Sequence, residues 1–190
     1  MRIVGGSLRG RVLVAPSNDA VRPTSDRVRQ SVFNILEHGI EGVALDGARV
    51  LDLFSGTGAL GLEAVSRGAR YCLFIEQDAT ARALIRRNVE TFALTGMTRI
   101  WRRDATDLGP AGNMEAFSFA FLDPPYGQGL GDRALASLTA GKWLAEGAVI
   151  VLEERTGTDV TLPEPIVELD RRTWGDTDVR FLRYGGSVGG

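Results

Sequence analysis

The chain has 190 residues, 44% of them hydrophobic, with a formal net charge of -2. That length and content fit one globular domain with at most a small appendage. No run approaches the roughly 18 consecutive apolar residues of a membrane span, and the N-terminus carries neither an apolar h-region nor a small-residue cleavage site, so a cytoplasmic protein is expected, independent of membranes. A single cysteine, Cys72, lies in the apolar run Tyr71-Cys72-Leu73-Phe74-Ile75; this excludes a disulfide framework, predicts a buried inert thiol, and leaves no cysteine cluster for a metal.

Residues 1–15 alternate around glycines and predict a short β-hairpin with an arginine-rich turn, too small to fold alone. Pro23-Thr24-Ser25-Asp26 supplies a helix start, with Thr24 or Ser25 as cap and Asp26 at the positive helix end. Val28, Val32, Ile35 and Leu36 follow at helical spacing, up to a stop near His38-Gly39. From about residue 48 the pattern becomes strand, turn, helix. Strands are predicted at 49–54, 71–75, 99–102, 116–122 and 148–153, and helices at 59–67, 80–94 and 131–140. Such alternation implies an α/β fold with a mainly parallel sheet covered on both faces. Two further strands, 166–173 and 179–184, flank Trp174-Gly175-Asp176-Thr177-Asp178 as an antiparallel hairpin. Residues 185–190 read as a disordered tail. The organisation expected is an N-terminal arm (1–22), one α/β domain (23–184) and that tail.

Charge is unevenly spread. Residues 1–30 hold six arginines and two aspartates, leaving 16 basic and 22 acidic residues in the remainder. The basic end is a candidate RNA-facing arm.

The first strand of the α/β region ends in Asp52-Leu53-Phe54-Ser55-Gly56-Thr57-Gly58. Glycines there let a ligand approach the backbone closely, and ligands of open α/β sheets lie at the carboxyl ends of strands. The second strand ends at Glu76, twenty residues after Gly56, where an acid can accept from ribose hydroxyls. The third ends in Asp104-Ala105, placing Asp104 to reach an adenine amine. These features fit either a nicotinamide dinucleotide or S-adenosylmethionine. Asp52 tilts the choice, because a carboxylate there repels a pyrophosphate but can accept from an α-ammonium, directly or through water.

The fourth strand runs into Asp123-Pro124-Pro125-Tyr126. Consecutive prolines stiffen the loop. Asp123 accepting one N–H of an exocyclic base amine and the Pro124 carbonyl accepting the other would direct the nitrogen lone pair at a methyl donor. Tyr126 offers a face on which a splayed-out base can stack. Arg9, Arg11, Arg22, Arg27 and Arg29 could grip phosphates around such a nucleotide, and Asp26 could read a guanine edge.

These motifs resemble the amino-group branch of S-adenosylmethionine-dependent methyltransferases. Arg2-Ile3-Val4-Gly5-Gly6, Arg9-Gly10-Arg11 and Arg22-Pro23-Thr24-Ser25-Asp26-Arg27-Val28-Arg29 resemble, more specifically, the signature of the bacterial 16S ribosomal RNA guanine-N2 methyltransferase family named for guanine 966. The resemblance runs over residues 1–184. It implies a Rossmann-like seven-stranded methyltransferase fold, with Phe54 to Gly58, Glu76 and Asp104 around S-adenosylmethionine and Asp123 to Tyr126 at the target amine. It also implies that Thr24 to Arg29 lie over the site mouth. The expected partner is 16S rRNA or an assembling small ribosomal subunit, met by a monomer with no metal. Rival readings are a DNA adenine or cytosine amino-methyltransferase, a non-catalytic RNA-binding assembly factor, and a nicotinamide oxidoreductase.

Overall fold

The computed structural model describes residues 1–17 and 25–186. Its elements are α1 (Asp26–His38), β1 (Arg49–Leu53), α2 (Ala59–Ser66), β2 (Tyr71–Ile75), α3 (Ala79–Thr91), β3 (Thr98–Trp101), β4 (Phe117–Leu122), α4 (Leu130–Ala140), β5 (Leu144–Arg155), β6 (Ile166–Trp174) and β7 (Thr177–Tyr184). Among the described residues they form one seven-stranded sheet of order β3-β2-β1-β4-β5-β7-β6. β1 to β5 run parallel, and β7 is antiparallel to both its neighbours.

Helices cover both faces, which is why the central strands read as continuous apolar runs. On one side Val32, Phe33 and Leu36 of α1, Leu62 of α2 and Ile85 of α3 pack with Val50, Phe74 and Phe121. On the other, Leu135 and Leu138 of α4 pack with Leu51, Leu73, Leu122 and Leu152. Ser25 caps α1 by accepting from the Val28 N–H at 3.2 Å, and Cys72 is buried.

Several elements differ from the expectation. The N-terminal hairpin is reduced to one bridge, Arg2 with Val12, held by Ile3 N–H to Arg11 O and Leu13 N–H to Met1 O, both 3.0 Å. Its tip leaves the ladder because the end of α2 offers better partners: the Ser66 carbonyl takes the Ser7 N–H at 2.8 Å and Ser66 Oγ takes the Leu8 N–H at 2.9 Å. β5 begins at Leu144, four residues before the apolar run that marks it, because β4 pairs with it from Phe117 onward. β6 and β7 extend to Trp174 and from Thr177, so the connecting turn is Gly175-Asp176 alone. At the C-terminal end, Gly185 is buried and donates to the Pro165 carbonyl at 3.2 Å.

α1 and α2 run in the same direction. Arg29 meets Glu63 and, two turns later, Glu37 meets Arg67. The first turn of α1 therefore lies toward the carboxyl ends of the parallel strands, while the hairpin tip lies at the opposite end of α2.

Candidate active site

Strand register builds the site. Trp101 of β3 pairs with Ile75 of β2, Ile75 with Leu53 of β1, Leu53 with Leu122 of β4, and Leu122 with Leu152 of β5. The next residue of each strand forms a rim: Arg102, Glu76, Phe54, Asp123 and Glu153. Chain order reverses at β1, which lies between β2 and β4, and the crevice outside such a reversal is where ligands bind in these sheets.

The turn after β1 is strained and cross-tied. Phe54 has φ +55°, sparsely populated for a residue with a side chain. The Ser55 N–H donates to the Ile75 carbonyl at 3.3 Å, with its Oγ 3.2 Å from the same oxygen. Gly56 has φ +56° and open space where a Cβ would project, while its N–H donates to Glu76 Oε2 at 2.8 Å. Gly61 answers a closer constraint: a Cβ would stand 2.5 Å from the Phe74 ring and 2.6 Å from Cys72 Sγ.

The donor set fits an adenosine-bearing cofactor. Glu76 Oε1 accepts from the Asp78 N–H at 3.0 Å, so both its oxygens are fixed in place, and each keeps a lone pair for a ribose hydroxyl. Asp104 Oδ1 accepts from the Thr106 N–H at 2.8 Å and Thr106 Oγ1 at 2.7 Å. These bonds hold its carboxyl below the usual carboxylate range, and Oδ2 remains for an amine. Ala105, in contrast, is buried in the core beside α4.

Asp52 does different work. It is buried, and its Oδ2 accepts from the Gly61 N–H at 2.9 Å in the first turn of α2, so it holds the helix under the glycine turn. Burial pushes its carboxyl well above the ordinary range, despite that hydrogen bond, and the Asp123 and Glu76 charges add to the effect.

Asp123 is half-buried, Pro124 buried, and Pro125 and Tyr126 exposed. Burial raises the Asp123 carboxyl well above its ordinary value, and the neighbouring Glu153 adds to this through charge and a hydrogen bond, followed by Glu154. The Tyr126 hydroxyl shares a 2.6 Å hydrogen bond with Thr177 Oγ1 at the start of β7. The ring is thus tied to the C-terminal hairpin. Sequence reasoning singles out neither Glu153 nor Thr177. The signal for Glu153 is there: the run Val149-Ile150-Val151-Leu152 stops at two adjacent acids where the β4 motif also stops. Thr177 is marked only by the tertiary pairing.

The arm residues separate. Arg22 and Thr24 lie outside the described residues. Arg27 is exposed on the first turn of α1, toward the rim. Arg29, expected to grip phosphate, is fully buried and ion-paired with Asp26 at 2.9 Å and Glu63 at 3.4 Å. The reason lies in helical spacing, since Arg29 shares a face with Val32, Phe33 and Leu36. Asp26 is committed as well, accepting from the Arg2 N–H at 3.2 Å. Arg9 and Arg11 are exposed at the far tip; Arg11 reaches the Thr91 carbonyl at 3.4 Å and lies 5.0 Å over Phe92, at the end of α3. They lie at the ends of α2 and α3 away from the rim.

A cofactor turn after β1, acids ending β2 and β3, and a stiff Asp-Pro-Pro-Tyr loop after β4 together define a methyltransferase of the Rossmann-like class. The chain belongs to the family described as Conserved hypothetical protein 95, whose family model matches residues 1–183. It is 37% identical over 191 residues to YlbH of Bacillus subtilis, covering 98% of this chain and 100% of that one. It is 32% identical to Ribosomal RNA small subunit methyltransferase D of Haemophilus influenzae, covering 96% and 93%. The solved structure of yhhF from Escherichia coli aligns with a TM-score of 0.82 at 31% identity, over 97% of this chain and 98% of that one.

Proposed function

We propose that this chain transfers a methyl group from S-adenosylmethionine to the exocyclic N2 amine of a guanine in 16S rRNA, acting as a monomer on RNA held in a small ribosomal subunit. The observation that carries the reading is the pairing of Leu53 with Leu122, which sets Asp123 directly beside the strained turn that begins at Phe54. The name of the Haemophilus relative supports ribosomal RNA as the substrate, and the arginine-rich N-terminal motifs support a guanine.

When bound, S-adenosylmethionine supplies an electrophilic methyl group on sulfonium sulfur. Glu76 and Asp104 would hold its ribose and adenine ends, and the open space over Gly56 admits it close to the backbone. Asp123 accepts one N–H of the target amine and the Pro124 carbonyl accepts the other, orienting a lone pair that is otherwise delocalised into the ring. Transfer of that methyl group to nitrogen, with the bonding electron pair left on sulfur, would leave a surplus proton on the nitrogen, and Asp123 would accept it. Tyr126 supports the flipped base. Arg27, exposed on the first turn of α1, would contact backbone phosphate near the rim, whereas Arg9 would meet RNA a helix length away.

The test uses under-methylated small subunits and labelled S-adenosylmethionine, with nucleosides identified by mass spectrometry. N2-methylguanosine is expected, with Asp123→Ala binding cofactor but losing turnover. Label found only in N6-methyladenine of DNA overturns the assignment, and undiminished function of Asp123→Ala in subunit assembly would favour a non-catalytic factor.

A further inference from the structure

The rim holds a group that the reaction above does not use. Glu153 is 3% exposed and follows Leu152, the partner of Leu122 in the parallel β4–β5 pairing. Glu153 and Asp123 therefore leave adjacent strands at the same level, and their carboxyls are hydrogen-bonded to each other. A hydrogen bond between two carboxyls needs a proton on one of them.

We propose that Glu153 is a positioning residue for methyl transfer: it shares one proton with Asp123 and thereby fixes that carboxyl's orientation toward the target amine. This rests on the catalytic reading of Asp123 given above. The pair begins the reaction with one proton and a single negative charge. When the amine nitrogen gives up its surplus proton to Asp123, the pair ends with two protons and no charge. Two carboxylates forced together resist full ionisation, so the shared proton, and with it the orientation of Asp123, is kept to a pH at which separate carboxyls would both have ionised.

The surroundings act in the same sense. On β5 itself Glu154 is 2% exposed, and β1 contributes Asp52, which interacts with Asp123. The loop after β4 contributes Tyr126, and its hydroxyl is raised by burial and by the charges of Asp123, Glu153 and Glu154. On β7, Asp178 pairs with Glu154 and Arg180 with Leu152; the Arg180 guanidinium donates to the Thr158 carbonyl at 2.7 Å and to Glu168 at 3.5 Å, and its buried Nε has no hydrogen-bond partner. The first turn of α4 carries Asp132 and Arg133.

The experiment compares the pH dependence of kcat for wild type, Glu153→Gln and Asp123→Asn on under-methylated small subunits, and follows the side-chain carboxyls of the wild-type protein by carbon NMR. Wild type is expected to lose kcat on an alkaline limb as the shared proton leaves, and Glu153→Gln, which has no such proton, is expected to lack that limb and to lower kcat by roughly tenfold, with the KM for S-adenosylmethionine unchanged. The NMR titrations of Asp123 and Glu153 are expected to be mutually dependent, each with two inflections. An alkaline limb that persists with wild-type kcat in Glu153→Gln, or two independent single-step titrations in the wild type, overturns the proposal; the NMR result decides should the variant not fold. Wild-type kcat in Asp123→Asn overturns the catalytic reading instead, so the two failures are distinguishable.

Discussion

Arg29 of α1 and Glu63 of α2 form an ion pair, Nε to Oε2 at 3.4 Å, with neither side chain exposed to solvent. Glu63 Oε2 also accepts from the Val4 N–H at 3.0 Å, and Oε1 from Arg67 Nε at 2.9 Å, while Arg29 donates to the Arg2 carbonyl. The arm, α1 and α2 are thereby joined at one point. Removing one partner of a buried pair strands the other charge, so Arg29→Ala is expected to cost about 3–5 kcal/mol. Urea unfolding measures it; a loss below about 1 kcal/mol would show that the network is not holding these elements.

Gly61→Ala tests the packing of α2 on the sheet. The added methyl meets Phe74 and Cys72 at distances no relaxed side chain tolerates, and overpacking of this kind costs about 1–3 kcal/mol. Because α2 also anchors the cofactor turn, affinity for S-adenosylmethionine, read by calorimetry, is expected to fall with stability.

Asp52 gives a pH dependence whose sign follows from its burial. Its native carboxyl is raised above the unfolded value, so between those two values the folded protein holds a proton that the unfolded chain has released. Stability therefore falls as pH rises through that interval, by about 1.4 kcal/mol per pH unit for this group. Asp52→Asn keeps an oxygen for the Gly61 N–H and removes the titration. Denaturation midpoints between about pH 4 and pH 8 should decline less in the variant than in the wild type; equal declines would place the effect elsewhere.

Tyr126 separates stacking from tethering. Tyr126→Ala removes the ring and is expected to weaken RNA binding by about 1–3 kcal/mol. Tyr126→Phe and Thr177→Val each break only the hydroxyl bond, and both are expected to shift KM for RNA by the same small factor. Unequal effects of the last two would mean that the bond is not the shared cause.

Arg27→Ala and Arg9→Ala probe the arm. Each phosphate that the protein ceases to neutralise makes the slope of log affinity against log salt shallower by about one. Arg27→Ala is expected to do so with RNA fragments short enough to span only the rim, whereas Arg9→Ala is expected to matter only with longer RNA. An unchanged slope for both variants on long RNA would remove the arm from the RNA interface.

The elements that bear the site were legible in the sequence because they rest on local pattern. Runs such as Val50-Leu51-Asp52-Leu53 and Phe119-Ala120-Phe121-Leu122 announce central strands, and the motifs at their ends announce ligands. What escaped depends on pairings between distant segments. Asp52 reads as a ligand acid, and its hold on the first turn of α2, through the Gly61 N–H, shows only in the fold. Arg29 reads as one more arm cation, although its spacing from Val32, Phe33 and Leu36 already put it on the buried face. The hairpin arm has alternation enough for strands, but the Ser66 backbone and hydroxyl draw its tip away.

The irregularity in the β4–β5 pairing falls between Phe117 and Phe119, at the entrance of β4, and the register is unbroken from there to Leu122. Since side chains alternate from face to face along a strand, one residue added or removed inside 119–122 would turn Asp123 away from the crevice and move buried side chains of β4 to the wrong face. The same change in the 102–116 connection is absorbed upstream of that point. The chain thus measures out its catalytic acid by parity, counted back from the loop.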